Sequence, residues 1–249
     1  MNEIIAEFIG TFLLILLGNG VVANVVLTGT KGHQGGWIVI SLGWGLAVFV
    51  GVAVAGPVSG AHINPAVSLG LALAGLFPWL KVLPFILAQL LGAMTGAGTV
   101  WLFYRRHFEQ TEEAGSILAC YSTSPAIRKT GNNFFSELMG TFVLIFVILY
   151  IAEPNVSVGG EVAKMGLGTL GALPVALLVT AIGLSLGGTT GYAINPARDL
   201  GPRIMHTLLP MKYKGSSDWS YSWIPVLGPF AGAILAAVLY LFHSLLIPA

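Results

Sequence analysis

Two Asn-Pro-Ala triplets, Asn64-Pro65-Ala66 and Asn195-Pro196-Ala197, stand in apolar surroundings in a chain with few polar residues. Asn is favoured at the cap of a helix and Pro in its first turn, so each triplet reads as the start of a short helix. The positive end of that helix's dipole lies at the tip. Each Asn amide has N–H groups to donate. The residues leading in, Gly60, Ala61, His62, Ile63 and Gly191, Tyr192, Ala193, Ile194, are expected to be extended, with their backbone carbonyls forming a ladder of acceptors. Arg198 follows the second triplet directly. An arginine among apolar residues is expensive unless it serves a cavity. The chemistry this set supports is the exchange of hydrogen bonds, with no covalent step. A neutral molecule carrying hydroxyls can trade bulk water for these donors and acceptors, whereas a cation meets two converging positive helix ends and Arg198.

Such tips need elements that carry them into an apolar medium, and the composition supplies that medium. Of 249 residues, 55% are hydrophobic and only 8% charged, with a mean hydropathy of +0.85, against about 25% charged in ordinary soluble domains. So few charges cannot coat a water-soluble sphere, and the bilayer is the natural solvent. A net charge of +1 provides no basic field for nucleic acid. The single Cys120 excludes an internal disulfide and a multi-cysteine metal site. No nucleophile-and-base arrangement, phosphate-cradling loop or metal-ligand cluster is evident, so no enzyme, cofactor or metal is expected.

Six apolar runs are long enough to span a hydrocarbon core, which takes roughly 20 helical residues each: 4–27, 36–55, 82–104, 134–152, 170–186 and 224–247. Two shorter segments, 64–76 and 195–208, reach only halfway and read as half-helices entering and leaving on one side. The first run carries Glu7 and lacks a basic leader, so it reads as a retained span in a chain that starts near Met1. The fold class is therefore an all-α membrane protein with six transmembrane helices and two re-entrant half-helices.

Sliding the chain by 131 positions sets 56–70 over 187–201 with eight of fifteen residues identical. A shift of 130 matches 6–15 with 136–145 in six of ten positions, pairing Glu7 with Glu137. Each half holds three spans and one half-helix. Because three is odd, the halves enter the membrane from opposite sides, and the two tips meet near the midplane. The expected organisation is one channel domain over 1–249, with repeats at about 1–105 and 133–249 joined by a loop at about 106–132.

The doubled triplets, the Ser59-Gly60-Ala61-His62-Ile63-Asn64 lead-in, Glu7 and Glu137 in the first and fourth spans, and the six-span length resemble the aquaporin (major intrinsic protein) family from end to end. The Arg198-Asp199 pair resembles its glycerol-conducting branch. By motif position, the resemblance implies an outer selectivity filter of Trp44, Gly183, Tyr192 and Arg198. Arg198 and carbonyls would take the hydroxyl edge of a small polyol, while Trp44 and Tyr192 touch its carbons. Gly183 stands where water-selective members usually carry His, and so would open the pore. Tyr192 departs from the branch's usual Phe, and its hydroxyl would add polarity and bulk. The implied function is a passive channel for glycerol and other small neutral solutes, among them water, dihydroxyacetone and urea, that excludes ions and protons. It would be a homotetramer in a prokaryotic plasma membrane.

Each feature also has a plainer reading. Arg198 could form a structural salt bridge with Asp199. Glu7 and Glu137 read as carboxylates holding backbone N–H groups or side chains behind the half-helices, with Asp199 as further support. The His62 ring reads as packing. Gly92, Gly96, Gly228 and Gly232 have the spacing of close helix contacts within one chain. Trp37, Trp79, Trp101, Trp219 and Trp223 fall near span ends, where an aromatic belt is expected, which leaves Trp44 alone inside a span. The polar stretch 105–133, with Cys120, reads as a surface loop. With both termini cytoplasmic, as the resemblance implies, only Lys81 and Lys164 lie inside, while Arg203 and most other basic residues lie outside or in the pore mouth. The positive-inside rule alone would orient the chain the other way. A water-selective pore is the runner-up within the channel class. A secondary transporter, with Glu7 and Glu137 as its only candidate coupling groups, is the rival from another class.

Overall fold

The computed structural model describes residues 2–152, 155–158 and 161–246, with 156–158 and 161–164 described by backbone alone. In chain order the elements are α1 (Glu3–Val26), α2 (Gly36–Ser59), α3 (Pro65–Leu73), α4 (Trp79–Phe103), the short α5 (Arg105–Gln110) and α6 (Ala114–Ala119), and α7 (Thr130–Tyr150). An antiparallel hairpin of β1 (Asn155–Val158) and β2 (Glu161–Lys164) follows, with a register that pairs Asn155 with Lys164. The chain closes with α8 (Leu173–Leu186), α9 (Pro196–Leu208) and α10 (Ile224–Leu246).

Six helices are long and apolar enough to cross a membrane: α1, α2, α4, α7, α10, and α8 together with the 3-10 turn Gly168–Ala172 before it. They match the six expected spans with boundaries shifted by a few residues. The predicted span end at Ile247 and the chain start at Met1 lie outside the described residues. Their outward faces carry exposed large apolar side chains, including Leu80, Leu91, Phe103, Leu177 and Phe242. In water these would be an aggregation hazard; in hydrocarbon they are the matching surface.

Within the bundle the helices approach closely through glycine. A Cβ on Gly96 of α4 would lie 2.8 Å from the Phe12 carbonyl oxygen of α1, and one on Gly228 of α10 would lie 2.8 Å from Cβ of Glu137 on α7. The small-residue spacing therefore serves contacts inside this chain. The half-helices cross over between repeats: α3 packs on α10 and α7, and α9 packs on α4. α2 packs on α8, with Gly45 of α2 against the Ala176 carbonyl and the Thr180 side chain of α8.

The short strand pair Asn155–Val158 and Glu161–Lys164 is a small addition to the expected all-α architecture. One expectation needs correction: the stretch 105–133 is not merely a surface loop. It holds α5, α6 and the start of α7, and it buries Phe108, Ile117, Cys120 and Tyr121. Those four side chains face inward as a lid over the end of the bundle that carries α9, where the Tyr121 ring meets His206 at 5.4 Å. Burial pushes the Cys120 thiol up, which keeps it protonated and unreactive.

Candidate functional site

Both half-helices start as their sequences direct. Asn64 Oδ1 accepts from the Ala66 N–H at 2.9 Å, and Asn195 Oδ1 accepts from Ala197 and Arg198 at 3.0 and 3.1 Å. Pro65 and Pro196 fill the first helical position, where an N–H would have no intrahelical partner. α3 stops sooner than the expected end at Leu76. Gly75, at φ +76°, adopts the left-handed conformation, and the N–H groups of Gly75 and Leu76 return to the carbonyls of Ala72 and Leu71.

The side-chain amides of the two caps are spent on one another's repeat. Asn64 Nδ2 donates to the Ile194 carbonyl and Asn195 Nδ2 to the Ile63 carbonyl, each at 2.8 Å. One N–H of each amide stays free, and the carbonyls of Ile63 and Ile194 are already engaged.

The lead-in segments are not extended along their length, contrary to the sequence expectation. Gly60 and Gly191 have φ of 82° and 80°, and four residues with side chains also have positive φ: Ala61 at 49°, Ile63 at 42°, Tyr192 at 38° and Ile194 at 43°. Such conformations cost of order 1–3 kcal/mol each and persist only where the surroundings over-determine them. Two buried carboxylates do so. Glu7 accepts the N–H groups of His62 and Ile63 at 2.9 and 2.7 Å, and Glu137 those of Ala193 and Ile194 at 3.0 and 2.9 Å. Glu7 also accepts from Ser59 Oγ at 2.6 Å and Gln89 Nε2 at 2.7 Å. His62 is tied in as well, its Nδ1 2.9 Å from Ser68 Oγ and its ring edge-on to Phe77 and Phe85.

A cavity of about 270 Å³ lies between the repeats. Asn64, Asn195, Gly60, Ala61, His62, Ile63, Ala193 and Ile194 line it, together with Trp44, Tyr192 and Arg198. The remaining wall is aliphatic, from Leu14, Val48 and Val52 on one repeat to Leu144, Val175 and Val179 on the other. Pro65, Ala66, Pro196 and Ala197 stand behind the asparagines as the first turns of their helices and do not line it, and neither does Gly191.

At one end of the cavity the Arg198 guanidinium lies 4.1 Å from the centre of the Trp44 ring. Arg198 NH1 and Trp44 Nε1 are buried and have no hydrogen-bond partner among the described residues. Asp199 is not the partner of Arg198. It is buried in an ion pair with Arg203, whose Nε is 2.8 Å from Asp199 Oδ1, and it accepts from the N–H and Oγ1 of Thr123 at 2.7 Å each. Arg203 completes the set by donating to the carbonyls of Ser217 at 2.7 Å and Thr123 at 3.0 Å. It is fully buried, so it does not lie outside or in the pore mouth as the sequence suggested. Its spacing of four from Asp199 on one helix was the signal available.

Gly183 is the one expected filter residue that does not line the cavity. The Tyr192 ring lies over it, and a Cβ there would stand 2.8 Å from Tyr192 Cζ and 2.9 Å from its hydroxyl oxygen. The glycine makes room for the tyrosine ring. The hydroxyl sits buried behind the ring with Ser41 near by and adds no polarity to the cavity surface. Trp37, expected only as a belt residue, donates its indole N–H to the Gly183 carbonyl at 2.8 Å and meets the Tyr192 ring edge-on at 5.8 Å.

Comparison with known proteins places these features in context. Residues 1–240 match the family model described as major intrinsic protein. The chain is 55% identical over 240 residues to a glycerol uptake facilitator protein of Streptococcus pneumoniae, covering 96% of this chain and 98% of that one. It is 53% identical to a probable glycerol uptake facilitator protein of Thermotoga maritima, with the same coverage. Among solved structures, the X-ray structure of the aquaglyceroporin from Plasmodium falciparum matches with a TM-score of 0.80 at 37% identity, over 96% of this chain and 94% of that one.

Proposed function

The chain belongs to the major intrinsic protein family, and from that premise we propose that it is a passive channel for glycerol and similar small neutral solutes in the cell membrane. The relatives named as glycerol uptake facilitators support the solute, and the six apolar helices support a multi-pass membrane protein. It is a channel and not an enzyme.

The observation that carries the reading is the amphipathic end of the cavity. Arg198 brings its guanidinium N–H groups to the wall, while the Trp44 and Tyr192 rings and the aliphatic residues offer carbon surface. A polyol has one hydroxyl edge and one CH edge. It can satisfy the donors with the first and cover the rings with the second, which a bare ion cannot do. The free N–H groups of Asn64 and Asn195 then act as donors midway, and the carbonyls of Gly60, Ala61, His62, Tyr192 and Ala193 as the remaining acceptors. Glu7, Glu137 and Asp199 act as supports behind the wall. Water passes along the same route, and the fixed charge of Arg198 with the two positive helix ends excludes cations and protons. A homotetramer with both termini in the cytoplasm is the expected assembly.

Stopped-flow light scattering on proteoliposomes tests this. Shrinkage followed by fast, non-saturating reswelling in glycerol, absent with an impermeant sugar and in empty liposomes, is the expected result. Fast shrinkage without faster reswelling would mean a water-selective pore. Saturable flux that responds to a proton ionophore would mean a transporter.

A further inference from the structure

Behind the filter lies a second layer that the channel reading does not use. Gly183 falls in the last turn of α8, where backbone carbonyls have no intrahelical donor. Trp37, in the first turn of α2, supplies one from 146 residues away in sequence. The same indole stands edge-on to Tyr192 at an interplanar angle of 78°. The tyrosine ring is thereby confined on three sides. A Cβ at Gly187 would lie 2.8 Å from Trp37 Cζ2 and within contact of Tyr192 Cδ1, and a Cβ at Gly183 would lie 3.2 Å from Ser41 Cβ. Tyr192 itself sits at φ +38°, a conformation with a standing tendency to relax.

We propose that Trp37 is the positioning residue of the filter: by capping the Gly183 carbonyl and bracing the edge of the Tyr192 ring, it sets the width of the opening between Tyr192, Trp44 and Arg198, and so the largest polyol that passes. This rests on the channel reading above. Trp37 does not line the cavity, so it acts only through Tyr192 and the end of α8. Removing the brace lets the ring retreat into the vacated volume, which widens the filter. Larger solutes gain more than glycerol does. The indole N–H and the ring contribute separately, because a phenylalanine keeps the edge contact and loses the donor.

The test is the ratio of five-carbon polyol flux to glycerol flux in the same proteoliposomes, for wild type, Trp37→Ala and Trp37→Phe, with Trp79→Ala as the control at another span end. A ratio divides out differences in the amount of folded channel, so a merely structural role does not move it. The expected ratio rises by about tenfold in Trp37→Ala, at the low end of a methylene-sized change in a fitted site. Trp37→Phe falls between, and Trp79→Ala stays at the wild-type value. If Trp37→Ala does not assemble, the Trp37→Phe ratio decides. An unchanged ratio in every recovered Trp37 variant overturns the inference, as does an equal rise in Trp79→Ala. Absence of glycerol flux in wild type sinks the glycerol reading instead, and the effect of Trp37 is then read as the gain of glycerol flux relative to water.

Discussion

The two ends of the cavity are copies of one another in descent and opposites in chemistry. Applying the same shift of 131 positions to the residues at the arginine end gives Val175 for Trp44, Ala61 for Tyr192, Val67 for Arg198 and Val52 for Gly183. Val175, Ala61, Val67 and Val52 all line the cavity. One end thus carries a cation on an aromatic face, and its counterpart carries only small aliphatic groups. The supports differ in the same sense. Behind the aliphatic end, Glu7 gathers four donors within a neutral network of Ser59, Ser68, His62 and Gln89. Behind the arginine end stands the buried Asp199–Arg203 pair, and Ser68 occupies the position matching Asp199. The difference teaches that charge and aromatic surface are concentrated at one end, while the backbone scaffold that both ends share stays nearly symmetric.

The largest effect is expected where that asymmetry is ionic. Asp199→Asn leaves Arg203 buried without its counter-charge, a loss of about 3–5 kcal/mol, and should abolish recovery of folded protein or lower its melting temperature sharply by fluorescence in detergent. The matching change, Ser68→Ala, removes neutral hydrogen bonds worth about 1 kcal/mol and should leave recoverable channel. Equal losses in the two variants would break the comparison.

Arg198→Val makes the two ends alike. Because Asp199 is satisfied by Arg203, no buried anion is orphaned and the fold should persist. A unit charge about 8 Å from a passing cation is worth about 2 kcal/mol at an effective dielectric near 20, so cation leak in a vesicle flux assay should rise roughly thirtyfold. A leak that stays at the wild-type level would assign ion exclusion to the helix ends instead.

Smaller effects separate the supports. Glu7→Gln disturbs four donors and Glu137→Gln two backbone donors and the Thr190 hydroxyl, so the first should lower the melting temperature more than the second, with glycerol flux falling in step. The reverse order would mean that the backbone bonds alone hold the strained loops. Smallest of all is Tyr192→Phe. Its hydroxyl is buried beside Ser41 and does not face the cavity, so the glycerol-to-water permeability ratio should stay within about twofold of wild type. A larger change would place the hydroxyl in the lumen.

What could be read in the sequence was what local rules govern. The Asn caps, the Pro at the first helical position and the six apolar runs depend on neighbours a few residues away, and the repeat made the inverted architecture legible from spacing alone. The site was less transparent. The positive φ values at Ala61, Ile63, Tyr192 and Ile194 follow from Glu7 and Glu137, each more than fifty residues distant. Trp37 looked like any interfacial tryptophan because its partner, a helix-end carbonyl, has no side-chain signature. Arg203 read as a charge outside or in the pore mouth because only the packed structure shows the carbonyls of Ser217 and Thr123 around it. Gly183 was singled out by motif position, yet the Tyr192 ring lies over it and it does not line the cavity.

The crossed amides carry a consequence for how the molecule comes into being. Asn64 needs the Ile194 carbonyl, Asn195 needs the Ile63 carbonyl, and each half-helix rests on spans of the other repeat. During synthesis the first repeat therefore waits in the bilayer with an amide and a carbonyl unmatched until the second arrives. Neither half can rehearse the finished lumen by itself. The passage comes into existence in a single late act of closure, when two incomplete halves become one another's missing wall.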